Sequence, residues 1–566
     1  MSKTDKILLY QVFPRFFGND NATNKPNGAL EQNGSGKFSA FSDVALNEIK
    51  KMGFTHVWYT GVIEHATKTD YTAYGISKDH PEIVKGNAGS PYAIKDYYDV
   101  DSDLADDVNL RMNEFEELIS RTHKAKMKVI MDFVPNHVAR QYKSDAKPDN
   151  VSDLGENDNT HTTFSADNNF YYIPGQKFSP DFNPVIDGEK YTEFPAKATG
   201  NNKFDAYPDI NDWYETVKLN YGIDFLGGGH KYFNPIPDTW HKMLEILMFW
   251  ASKKVDGFRC DMAEMVPVEF WAWVIPQVKA KYPKIIFVAE VYNPFEYRNY
   301  IFDGKFDYLY DKVGLYDTLR DIICNKKPAG AITGCWQAIE GIQTQMLNFL
   351  ENHDEQRIAS DFFAGNPWKA VPAMIVAATM NTNPVMVYCG QELGEPGMDQ
   401  EGFSGLDGRT TIFDYWSVKS IRDWRNNGKY DGKKLTKEQT KLRDFYARLL
   451  KLCNSEKAIK EGLFYDLMYT NYENPGFNPE KQYVYFRKAD DKILLIIVNF
   501  DDKDVETSIN IPQNIFDFLE VSPEKIGEGT DLLSNEKSYS KLNSEIPFHT
   551  TIQANSGRIF KFSVKK

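Results

Sequence analysis

Gly257-Phe258-Arg259-Cys260-Asp261 is a short apolar run that ends on a carboxylate, with an arginine two residues earlier. Side chains alternate along a strand, so Arg259 and Asp261 share one face. Three other stretches repeat the form. Lys128–Phe133 carries Asp132 and continues into Val-Pro-Asn136-His137, and Ile285–Ala289 ends on Glu290. Gln345–Leu350 is followed by Glu351-Asn352-His353-Asp354. A lone carboxylate after a strand is ordinarily a helix cap or a solvated loop residue. Four acidic strand ends, two of them beside histidines, point to one site.

Further apolar runs at Ile7–Phe13, Thr55–Tyr59, Phe306–Leu309 and Val385–Cys389 bring the strand candidates to eight. Between them lie amphipathic stretches with helical period: Asp43–Met52, Leu110–Ala125, Asp238–Ser252, Pro267–Lys281 and Trp368–Met380. Eight strands with intervening helices predict an α/β fold, the (β/α)8 TIM barrel, whose active sites lie at the C-terminal strand ends. One interval breaks the rhythm. About 100 residues rich in Asn, Asp, Gly, Pro and Tyr separate the third strand from Asp238. A structureless loop of that length is uncommon, so an inserted subdomain is expected after strand three. Lys437–Leu452 reads as the last barrel helix. Beyond it, strands at Tyr483–Arg487, Ile493–Asn499, Glu506–Ile511 and Arg558–Val564 predict a C-terminal antiparallel β-sandwich. The expected division is barrel at 1–137 and 237–455, insertion at 138–236 and sandwich at 456–566.

Composition narrows the function classes. The 566 residues include 80 acidic and 66 basic side chains, a formal charge of −14. Such a chain repels polyphosphate, so nucleic acid is a poor candidate partner. No apolar run approaches the ~20 residues of a membrane-spanning helix, and no membrane insertion is expected. Cysteines at Cys260, Cys324, Cys335, Cys389 and Cys453 are odd in number and form no CxxC pair. Neither a disulfide framework nor a zinc site is indicated. The opening Met1-Ser-Lys-Thr-Asp-Lys6 has no apolar signal core. That suits a cytoplasmic chain, or an exported one whose signal has been removed.

The acidic strand ends favour one reaction. Asp261 and Glu290 end adjacent strands, whose backbones lie ~4.8 Å apart. Their carboxyl groups can approach the ~5–5.5 Å separation of a retaining glycosidase. Arg259 is expected to keep Asp261 ionised as a nucleophile. Glu290 follows the apolar run Ile285-Ile-Phe-Val-Ala289. Partial desolvation there is expected to raise its pKa toward that of a general acid.

With these residues in order, the chain resembles glycoside hydrolase family 13, the α-amylase family. The four segments match that family's four short sequence regions. Tyr10-Gln-Val-Phe-Pro-Arg15 and Gly53-Phe-Thr-His-Val-Trp58 look like its first two strands, and Tyr207-Pro-Asp209-Ile-Asn211 is similar to a motif near the end of its domain B. The resemblance implies Asp261 as nucleophile, Glu290 as acid/base and Asp354 as stabiliser of the transition state. It implies sugar contacts from His137 and His353, stacking by Tyr92, positioning of the nucleophile by Arg259, and a supporting role for Asp132. The chain departs from the family's pattern in three places. Ser90-Pro91 precedes Tyr92 where Gly is frequent, Glu264-Met265 stands where many α-amylases carry Lys-His, and Met262 follows the nucleophile position.

The resemblance also implies a structural calcium ion. Asn136 matches a position that binds calcium between barrel and domain B in many members, with Asp205 or Asp209 to complete it. Asn19, Asn21 and Asn24, in the loop after the first strand, resemble another calcium loop; the alternative is a polar turn tied by its own side chains. No organic cofactor is expected. The implied substrate is an α-glucan or maltooligosaccharide, hydrolysed at α-1,4 bonds with retention as in starch degradation. A transglycosylase with the same residues, or a silent glycan-binding relative, are the alternatives. Sequence leaves linkage, chain-end preference and oligomeric state open.

Overall fold

The computed structural model describes residues 5–182, 188, 190–538 and 540–565. Its centre is a parallel sheet of eight strands: β1 (Leu8–Val12), β2 (His56–Tyr59), β3 (Lys128–Phe133), β4 (Gly257–Cys260), β5 (Ile286–Ala289), β6 (Tyr308–Tyr310), β7 (Met346–Leu347) and β8 (Val385–Tyr388). Neighbours follow chain order from β1 to β7, and β8 lies against β1. A parallel bridge from Asn348 to Val385 joins β7 to β8. The sheet is thereby a barrel.

Strand alternation divides the apolar residues between two cores. Leu9, Trp58, Ile130, Val288, Leu347 and Met386 pack together inside the barrel. Their neighbours Leu8, Val57, Val129, Phe258 and Phe287 face outward into the main core beneath the helices. Two residues beyond Ile130 and Val288 on the same faces come Asp132 and Glu290. The barrel interior is therefore apolar below and charged at the C-terminal strand ends.

Strand limits differ in detail from the sequence expectation. β6 begins at Tyr308 because Phe306 still belongs to the preceding turn, its N–H donating to Tyr300 O at 3.2 Å. Gln345 ends a 3-10 turn, and the regular part of β7 is only Met346–Leu347. The expected helix Trp368–Met380 divides into a 3-10 turn, Pro367–Ala370, and a helix, Val371–Thr379. Pro372 sits in that helix's first turn, where a missing N–H costs no helical bond. The helix Lys437–Ser455 starts with a capping box, Thr436 accepting from Gln439 N and the Gln439 side chain from Thr436 N.

Between β3 and the helix Asp238–Ser252, short strand pairs join His137–Ala139 to Thr216–Lys218 and Tyr172–Ile173 to Ala196–Lys197. Buried Arg140 organises this region: it donates to the carbonyls of Tyr214 (2.7 Å) and Thr216 (3.0 Å) and pairs with Glu193 at 2.7 Å. After the last barrel helix, a five-stranded antiparallel sheet runs in the order Leu463–Asp466, Gln482–Ala489, Lys492–Asn499, Ser556–Ser563, Thr530–Asp531. A second sheet pairs Val505–Ile509 with Phe548–Ile552, and Phe548 packs on Phe560 and Phe562 of the first. Arg487 fastens this unit to the barrel, donating to the carbonyls of Met380, Ala458, Ile459 and Gly462.

Candidate active site

A cavity of about 480 Å3 opens at the C-terminal strand ends, with Tyr92, His137, Trp213, Asp261, Glu290 and Asp354 in its wall. Its floor is set by sheet register. Cys260 of β4 lies opposite Ala289 of β5, and Glu290 N donates to Cys260 O at 3.1 Å. Asp261 and Glu290, the next residues on each strand, therefore emerge side by side.

Arg259 holds both. Its Nη1 donates to Asp261 Oδ1 at 2.6 Å, while Nη2 lies 2.8 Å from Glu290 Oε2 as an ion pair without hydrogen-bond alignment. The guanidinium is buried among the rings of Trp58, Tyr92 and Tyr310, each 5.3–5.5 Å from its carbon. Tyr310 Oη accepts from Arg259 Nε at 3.2 Å. A delocalised cation suits such an enclosure better than an ammonium would.

The surroundings of the two carboxyls differ from the sequence expectation in two respects. Burial pushes Asp261 well above the ordinary carboxylate range; Arg259 opposes the rise, and the charges of Glu290 and Asp354 add to it. Arg259 is divided among several acids, so it moderates the desolvation of Asp261 without cancelling it. Nor is Glu290 in an apolar pocket. Beyond Arg259 it accepts from Met262 N at 2.8 Å and from the Tyr292 hydroxyl at 2.6 Å. The Met262 N–H is presented by a left-handed backbone, φ 41°, which costs an L-residue roughly 1–2 kcal/mol. Such strain is typical of functional sites. Asp354 is pushed up to about 7 by burial and by the charge of Glu290. Its side chain keeps 42% of its surface open, so solvent moderates that rise.

The remaining predicted residues form a buried support. His353 lies under Tyr92, rings stacked at 5.3 Å, with Nε2 bonded to the Tyr92 hydroxyl and 3.2 Å from Asp354 Oδ2. Gln11 Nε2 meets His353 Nδ1 at 2.8 Å. With the Gln11 amide assigned as donor there, the ring proton belongs on Nε2. Burial holds His353 far below the usual histidine range, and it is neutral. Asp132 accepts from Gly61 N at 2.9 Å, and Arg259 is 3.9 Å away. Asp132 thus anchors the β2 end more tightly than it holds the arginine. His137 packs against Trp213, ring centres 5.2 Å apart.

Sequence reading gave no role to Gln11, Trp213, Tyr292 or Tyr310. For Tyr292 a signal existed, since it stands two residues beyond Glu290. Glu264, where the resemblance predicted a basic neighbourhood, accepts from the backbone N–H groups of Tyr292 (3.2 Å) and Asn293 (3.0 Å). It shapes the loop that carries Tyr292.

The residues expected to hold calcium do not fit it here. Asn136 Oδ1 accepts from Lys218 Nζ, so a side-chain donor of the protein occupies the oxygen expected to face a metal; burial lowers the Lys218 pKa to about 7. Asp205 and Asp209 close local turns onto Tyr207 N and Asn211 N. After the first strand, Asn19 Oδ1 accepts from Asn21 N, Asn21 Oδ1 from Thr23 N, and Asn24 Oδ1 from Ser417 N. Asp20, the carboxylate of that loop, pairs with Arg425 at 2.5 Å. In this structure the loop is a polar turn tied by its own side chains.

Comparison with known proteins agrees with this geometry. "Alpha-amylase 2" of Dictyoglomus thermophilum is 21% identical over 516 residues, covering 90% of this chain and 71% of that protein. A 93-residue stretch, 15% of this chain and 16% of the relative, is 35% identical to an α-1,4-glucan:maltose-1-phosphate maltosyltransferase of Cereibacter sphaeroides. Among solved structures, the Geobacillus thermoleovorans α-amylase complexed with acarbose shares the fold at TM-score 0.65 and 18% identity, covering 99% of each chain. The family described as "Alpha amylase, catalytic domain" matches residues 11–448. That span takes in every strand end from which the cavity is built, and the chain belongs to glycoside hydrolase family 13, the α-amylase family, as an α-amylase-type glycoside hydrolase.

Proposed function

We propose that this glycosidase hydrolyses α-1,4-glucosidic bonds of starch, glycogen or maltooligosaccharides with retention, through a covalent glycosyl-enzyme. The observation that carries this is the pairing of Asp261 and Glu290 on one guanidinium, at adjacent strand ends in register. Carboxyls on adjacent strand ends that share one guanidinium suit the short separation of a retaining enzyme better than the wider one that holds an inverting enzyme's water. Asp261 attacks the anomeric carbon while Glu290 gives a proton to the departing oxygen. Glu290, then a carboxylate, draws a proton from water, and that water releases the sugar from Asp261. Asp354 and the ring of Tyr92 bind the sugar that bears the developing positive charge.

Transfer to a second sugar in place of water is the other reading, supported by the local match to a maltosyltransferase. A product time course from one purified maltooligosaccharide separates the two. Shorter products alone are expected; early products longer than the substrate would make transfer the main activity.

A further inference from the structure

Away from the cavity, three carboxylates converge at the rim of the barrel. Glu64 lies on the short strand Ile63–His65 that follows β2, and its backbone partner across the hairpin is Asp96 of the strand Ile94–Val100. Asp145 comes from the segment just after the strand of His137. One carboxylate oxygen from each of Glu64, Asp96 and Asp145 lies within 4.8 Å of the other two. Three oxygens within that spacing leave a point no more than about 2.8 Å from each, which a small inward shift of the side chains brings to the ~2.3–2.6 Å at which calcium takes oxygen ligands.

The decisive member is Glu64. It is 4% exposed, and neither of its carboxylate oxygens has a hydrogen-bond partner. A buried carboxylate with nothing to accept from is costly and uncommon. No nearby cation bonds Glu64: Lys95 pairs with Asp79 at 2.9 Å, and Arg111 pairs with Asp99 through Nε at 2.8 Å and more loosely with Asp145 at 3.6 Å. Asp96 is held rigidly, accepting from Tyr98 N (2.8 Å), the Ser144 hydroxyl (2.6 Å), Asp145 N (2.8 Å) and Ala146 N (3.0 Å). Such outer contacts orient a metal-binding carboxylate.

We propose that Glu64, Asp96 and Asp145 form a binding site for a hard divalent cation of calcium's size. It lies apart from the Asn136 position and from the asparagine loop after β1. A cation there joins three segments: the hairpin after β2, the strand that follows Tyr92, and the chain leading from His137 into the insertion. It would brace the wall of the cavity on the Tyr92 side.

The test is calorimetric titration of the chelator-treated full chain with calcium chloride, beside elemental analysis of the protein as purified. One calcium per chain is expected, with a rise in Tm when calcium is restored. Glu64→Gln should abolish this binding, and Asp145→Asn should weaken it at least ~tenfold. Asn24→Ala should leave it unchanged. Circular dichroism checks that each variant is folded; should Glu64→Gln fail, the exposed Asp145 carries the test. Absence of calcium both from the purified protein and from the titration overturns the proposal, as does undiminished binding in folded Glu64→Gln or Asp145→Asn.

Discussion

The Tyr292 hydroxyl donates a 2.6 Å hydrogen bond to Glu290 Oε1, from a loop whose N–H groups are held by Glu264. A neutral donor on a carboxylate fixes its direction. Hydrogen bonds to charged groups contribute about 1.5–3 kcal/mol. Tyr292→Phe is therefore expected to lower kcat/KM roughly ten- to hundredfold with the fold intact. Steady-state kinetics on a maltooligosaccharide checks it; an unchanged kcat/KM removes Tyr292 from the site.

Glu290→Gln removes the proton donor. Its kcat on α-glucan should fall about 10²–10⁴-fold, the usual contribution of general acid catalysis. Bond cleavage with an activated aryl leaving group needs little proton donation and should suffer less. Parallel assays on both substrates decide, since equal losses contradict the acid role.

Activity should also report the charge crowding in the cavity. Asp261 is pushed up by burial, with Glu290 and Asp354 adding to the rise. A nucleophile must be ionised, so a raised pKa means the active form is lost as pH falls through the raised value. The acid limb of kcat/KM is expected well above the ordinary carboxylate range. Asp354→Asn removes one like charge and should shift that limb toward lower pH, beside its own loss of rate. A pH profile of both proteins is the check, and a limb unmoved in Asp354→Asn contradicts this coupling.

Arg487 gives a stability prediction. It is buried and satisfies four backbone carbonyls between the barrel and the C-terminal sheet. Burial lowers its pKa to about 10, so it remains charged at neutral pH. Arg487→Met strands those carbonyls, and each unsatisfied buried group costs about 1–3 kcal/mol. Loss of at least ~3 kcal/mol and a clear drop in Tm are expected from denaturant and thermal unfolding.

Much of this was legible in the sequence, for identifiable reasons. Barrel strands are buried on both faces, so β3 and β4 read as continuous apolar runs with the observed limits. The strand-end acids follow from alternation, which is why Arg259, Asp261 and Glu290 meet as expected. Edge strands were harder to see: Leu463–Asp466 and Phe548–Ile552 are partly exposed, and their patterns are weak. Gln11, Tyr310 and Trp213 reach the site through tertiary packing, which no spacing in one sequence reveals. The asparagines after β1 resemble a calcium loop found in some members of the family. Their oxygens are taken by backbone N–H groups that only the folded loop brings near.

Covalent catalysis by Asp261 underlies the proposed hydrolysis. The most direct measurement is trapping with a fluorinated glucosyl fluoride that forms the glycosyl-enzyme quickly and releases it slowly, followed by proteolysis and mass spectrometry. One sugar per chain, on the peptide containing Asp261 and missing from Asp261→Asn, is the predicted result. A label on another residue, or substantial turnover by folded Asp261→Asn, would contradict it.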